Sequence, residues 1–76
     1  MANLRKGMWV KSTGGQVGIL VMPLDAVTWE FHVADQVTGL TTTIRTILSH
    51  EVAQATFMDI PEGRRPALDV ARRLGY

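Results

Sequence analysis

The chain has no cysteine. That excludes a disulfide framework and any thiolate metal site. No apolar run approaches the roughly 18 residues that a membrane helix needs. The opening Met1-Ala2-Asn3-Leu4-Arg5-Lys6 lacks the apolar core of a secretory leader. A cytoplasmic protein with no membrane association is therefore expected. Aromatic residues make up only 7% of the chain, so the two tryptophans, Trp9 and Trp29, stand out. The apolar fraction of 46% is too high for a disordered segment. With 76 residues the chain is one domain. A domain of this size buries only about 60% of its unfolded surface. A homo-oligomer interface, or one with another protein, is the expected supplement to so small a core.

Net charge is +1, but the layout is uneven. Residues 1–24 hold Arg5, Lys6 and Lys11 and no acid, which gives +3. Residues 25–62 hold six acids against Arg45, which gives −5. Residues 63–76 hold Arg64, Arg65, Arg72 and Arg73 against Asp69, which gives +3. The middle is acidic and both ends are basic. Blocks of one sign can mark a nucleic-acid footprint, and near neutrality they are more often solvated surface.

The stretch Val27-Thr28-Trp29-Glu30-Phe31-His32-Val33 alternates large apolar with polar residues, the period of a strand buried on one face. Trp29 falls on the apolar side and reads as core. Before it, Met8 to Lys11 and Gln16 to Met22 flank Gly14-Gly15, a hairpin signal. In the second of these runs Val17, Ile19 and Val21 face one way and Leu20 and Met22 the other. A strand apolar on both sides is either central or part of a subunit interface. Gly18 suggests a bend, a bulge or a close backbone approach. Asp35 to Gly39 reads as a hairpin loop with Gly39 left-handed. The β-branched run Leu40 to Leu48 favours a strand pairing back on the central one. A weaker strand follows at Val52 to Phe57.

The period changes at the C-terminus. Ala67, Val70, Ala71 and Leu74 share one helical face behind Pro66, which suits a first helical position. The expected fold is mainly β, a small five-stranded antiparallel barrel. Its strands fall at about 8–13, 16–22, 26–34, 40–48 and 52–57, with a short C-terminal helix at about 66–74. Residues 1–76 form the single domain.

Lys6-Gly7-Met8-Trp9-Val10-Lys11, Gly14-Gly15 and Val17-Gly18-Ile19-Leu20 together resemble the opening hairpin of SH3-like barrels of the KOW and Tudor type. The resemblance covers about 15 of the 76 residues. It implies an SH3-like barrel and, for KOW modules, nucleic-acid binding. The chain departs from the KOW pattern in a shorter loop and in Met8, which stands where that family has an acid. Ile60-Pro61-Glu62-Gly63-Arg64-Arg65-Pro66, with Ala71 and Leu74-Gly75-Tyr76, is similar to the tails of small phage and prophage proteins.

No arrangement of catalytic groups emerges. Glu30 and His32 share the polar face of one strand, but zinc needs three or four ligands and no third is evident. Gly14, Gly15 and Gly18 are followed by no helix bearing a lysine, so they form no phosphate loop. No catalytic, cofactor-binding or metal residue is assigned, and the expected protein is not an enzyme and carries no cofactor. Two readings remain. The first is a self-associating structural or protein-interaction module, phage or mobile-element encoded, meeting its partner through Val17, Ile19, Leu20, Val21 and Met22. The second is a nucleic-acid-binding KOW-like module using Arg5, Lys6, Trp9, Lys11, Arg64, Arg65, Arg72 and Arg73. Trp9 shares a face with Lys11, which makes it the better candidate for an exposed aromatic. The first reading leads, because the net charge is small and the central acids repel phosphate. The arrangement of the basic groups in space discriminates between the two.

Overall fold

In the computed structural model residues 4–75 are described. Residues 1–3, read above for a leader, and Tyr76, part of the tail resemblance, lie outside them. No helix among the described residues is long and apolar enough to cross a membrane.

The fold is mainly β: one antiparallel sheet of five strands and one short helix. The strands are β1 (Trp9–Ser12), β2 (Val17–Pro23), β3 (Thr28–Ala34), β4 (Thr41–Leu48) and β5 (Val52–Gln54), and the helix is α1 (Leu68–Arg73). Their order across the sheet is β4-β3-β2-β1-β5. The first four strands form a meander. The chain then crosses a short 3-10 turn, Ser49–Glu51, and returns to pair β5 with β1. The sheet does not close, so β4 and β5 are its two edges.

Each turn is built by local chemistry. In the loop after β1, Gly15 takes φ +87° and the Ser12 side-chain oxygen accepts from the Gln16 N–H at 3.1 Å. Asp25 Oδ1 accepts from the Val27 and Thr28 N–H groups between β2 and β3. Asp35 Oδ1 accepts from the Val37 and Thr38 N–H groups between β3 and β4, and Gly39 there takes φ +76° as the sequence suggests. Short polar side chains that bond to the backbone two or three residues on are the reason such residues favour turns.

Two apolar clusters lie on opposite faces of the sheet. On the concave face Met8, Val10, Leu20, Phe31 and Ile47 are buried together, with Leu4, Trp29, Val33 and Val52 packed against them. On the convex face Val17, Ala55 and Ile60 form a second cluster, with Trp9 against it. The chain after β5 covers β1 and the start of β2 on that side. On the concave face Gly18 lets the Phe31 ring of β3 lie over β2, because a Cβ there would collide with the His32 carbonyl and the Phe31 ring. The sheet also curls. Arg45 of β4 donates through Nη1 to Gln16 Oε1, a bond that reaches from β4 past β3 to the residue before β2.

The element boundaries differ from expectation where tertiary contacts intervene. β3 begins at Thr28, and Val27 precedes it, exposed. Trp29 is half-buried at the margin of the concave cluster, whose centre is the fully buried Phe31. β5 ends at Gln54, since Ala55 drops into the convex cluster and Asp59 Oδ2 accepts from the Thr56 N–H to start a turn. The helix is shorter than 66–74. Ala67 is its N-cap, and Pro66 lies before the helix on extended chain. Of the expected helical face only Ala71 is buried.

Candidate functional site

The two basic ends of the chain meet in one cleft of about 310 Å³. Its N-terminal wall is a four-residue turn, Arg5-Lys6-Gly7-Met8, closed by the Met8 N–H donating to the Arg5 carbonyl at 3.2 Å. Gly7 holds φ +80° as the third residue, the position where such a turn requires glycine. The Gly7 N–H donates to the Leu20 carbonyl at 2.7 Å and fixes the turn to β2. Arg5 and Lys6 are thereby exposed at the tip. Trp9, half-buried at the start of β1, lines the cleft from the sheet. Buried Ile60, with Pro66 and Leu74, completes the apolar part of the lining.

Arg64 stands on the opposite wall. It ends a 3-10 turn, Glu62–Arg64, whose geometry is fixed by the Arg64 N–H donating to the Pro61 carbonyl at 2.8 Å. Its Nε donates to the Gly39 carbonyl at 3.0 Å, which ties the side chain to the β3–β4 loop. A Cβ on Gly39 would strike the Arg64 side chain. Gly39 therefore serves both the loop and the cation's position. Arg5, Lys6 and Arg64 line the cleft, and among the described residues no Asp or Glu lines it. Three positive charges around a partly exposed indole suit an anion that also carries a planar ring.

The remaining basic candidates lie elsewhere. Lys11 Nζ sits 3.5 Å from Asp59 Oδ1. Arg65 donates from Nε to the Ile60 carbonyl and from Nη2 to the Met58 carbonyl, and its guanidinium lies 5.8 Å from the Phe57 ring centroid. Lys11, on β1, ties the chain after β5 to the sheet through Asp59, and Arg65 braces that chain internally. Arg72 and Arg73 are exposed in the last turn of α1 and do not line the cleft. A larger recess of about 370 Å³ has Lys11, His50, Glu51 and Asp59 in its lining. Its cation already has a carboxylate neighbour, and its acids oppose an anionic ligand. Glu30 Oε2 and His32 Nε2 bond to each other at 3.0 Å.

The apolar candidates on β2 divide by face. Leu20 is fully enclosed in the concave cluster and Val17 is buried in the convex one. Ile19 and Val21 are half-buried and Met22 is exposed. The two-sided apolar pattern is thus accounted for by cover from the same chain, and any contact through β2 rests on Ile19, Val21 and Met22.

Sequence reasoning named Arg5, Lys6, Trp9 and Arg64 without their convergence. It missed Gly39 as the residue that seats Arg64. The local signal for Gly39 was its turn chemistry alone. No family model, curated protein or solved structure matches the chain.

Proposed function

We propose that the chain is a small binding module that takes single-stranded nucleic acid into the cleft between the Arg5–Met8 turn and Arg64. The observation that carries this reading is the meeting of Arg5, Lys6 and Arg64 around Trp9, with no Asp or Glu among the described lining residues. The whole-chain charge of +1 argued against phosphate binding. It loses force when three of the cations are concentrated at one place. Backbone phosphates engage the cations, and a base stacks on the exposed part of the indole, an interaction worth about 1–3 kcal/mol per base. The resemblance of the β1–β2 hairpin to KOW modules points the same way.

Anisotropy of labelled oligonucleotides at about 50 and 200 mM salt tests the reading. Three phosphate contacts on a single strand give a slope near −2 in log K against log salt, a loss of roughly 20-fold over that range. Lys6→Ala and Arg64→Ala are both exposed positions that leave the core intact. Each is expected to weaken binding and make the slope shallower. Absence of binding at 50 mM salt, or binding indifferent to both variants, overturns the reading.

A further inference from the structure

We infer that two copies of this chain pair antiparallel along their β4 edges, extending the sheet across a two-fold axis. This is independent of the cleft, none of whose lining residues lies on β4. Among the described residues β4 pairs with β3 alone. On its other side every second residue directs its N–H and C=O groups outward, as on any antiparallel edge. Seven of the eight residues Thr41–Leu48 are exposed, and only Ile47 is buried.

Exposed edges are ordinarily blunted by shortness, proline, lysine, a bulge or an inward-pointing charge. β4 has eight residues, no proline, no lysine and no acid. Its bulge falls at the first end, where Val33 pairs Thr43 but Ala34 pairs Thr41, and leaves residues 43–48 regular. Its one charge, Arg45, bonds to Gln16 across the concave face and so lies over its own sheet rather than off the edge.

The occupant follows from length and symmetry. The other free edge, β5, has three residues and cannot match eight. A β4 edge is its own complement under a two-fold axis, which gives a closed, isologous dimer. The side chains choose the register. Ile44, Thr46 and Leu48 share the convex face, since they pair with His32, Glu30 and Thr28 of β3. An axis through Thr46 sets Ile44 opposite the partner's Leu48, Thr46 opposite its own counterpart, and Arg45 opposite the partner's Ile47. Exposed Ile44 and Leu48 then cover each other, and like threonines form a favourable cross-strand pair. An axis one residue earlier would set Arg45 against itself, which is disfavoured.

Sedimentation velocity over a concentration series is the first test, and a dimer at high micromolar concentration is expected. Thr46→Lys sets two ammonium groups against each other at the axis. It should raise the dimer dissociation constant about tenfold or more with unchanged circular dichroism. The cysteine-free chain permits a second readout. Thr46→Cys should form a covalent dimer under mild oxidation, whereas Thr42→Cys, in the bulge, should not. A wild type that remains monomeric at high micromolar concentration overturns the inference. So does a dimer that Thr46→Lys leaves untouched, or cross-linking equal at both positions.

Discussion

Gly39 does two jobs with one missing side chain. Its φ of +76° lies in the left-handed region, where a Cβ costs about 1–2 kcal/mol. It is also buried beneath Arg64, whose Nε it accepts at its carbonyl. Gly39→Ala is therefore expected to lower the urea midpoint and to weaken oligonucleotide binding as Arg64→Ala does. A variant with reduced stability and undiminished affinity would separate the loop from the cation. The same position illustrates what a sequence discloses at this scale. The left-handed turn was legible because Asp35, Thr38 and Gly39 act within one loop. The seat for Arg64 was not, because its partner is 25 residues away. Trp29 and Phe31 differ in the same manner. Alternation assigns both to one face, but only the packing of Leu20, Ile47 and Val10 decides that Phe31 is the centre.

At the scale of elements, three of the turns depend on a carboxylate in its ionised form. The Asp25 carboxyl is held below its ordinary value of 3.8, first by the Val27 N–H. Asp35 is lowered likewise, first by the Thr38 N–H, and Asp59 first by the Thr56 N–H. A pKa depressed in the folded state contributes stability that is fully present above the unfolded value. That stability is lost as pH falls through the lower, folded value. Thermal midpoints should consequently hold until pH nears 4 and decline below it as far as these groups are concerned. The Asp25→Asn, Asp35→Asn, Asp59→Asn triple variant should show a shallower decline. Parallel profiles for the two proteins would assign acid sensitivity to other groups. Strands and hairpins were legible at this scale from alternation and turn residues. The start of α1 was not. Pro66 suits a first helical turn in isolation, but the chain there is occupied with the cleft and with Arg65 bonding to Ile60 and Met58, and the helix waits until Leu68.

For the whole molecule, the decisive fact is that β1 stands between β2 and β5. Its position brings residues 5–9 beside the chain that follows β5, and the basic ends of the sequence into one cleft. Charge layout along the chain cannot announce this. The β1–β5 pairing joins residues far apart in sequence, Ser12 with Val52 and Val10 with Gln54, and no local pattern encodes it.

That pairing also sets an order of events in time. The meander from β1 to β4 closes through short loops, whereas the contact of Ser12 with Val52 encloses the entire meander and carries a larger loop-closure entropy. β5 is therefore expected to join after the rate-limiting barrier. Ala53→Gly, at an exposed position opposite Lys11, should destabilise by about 0.5–1 kcal/mol. In stopped-flow measurements that loss should appear as an unfolding rate roughly two- to fivefold faster, with refolding almost unchanged. Slower refolding with unaltered unfolding would put β5 in the nucleus instead. Because the cleft is complete only after this last step, an oligonucleotide bound there should lengthen the lifetime of the folded chain and leave the speed of its formation alone.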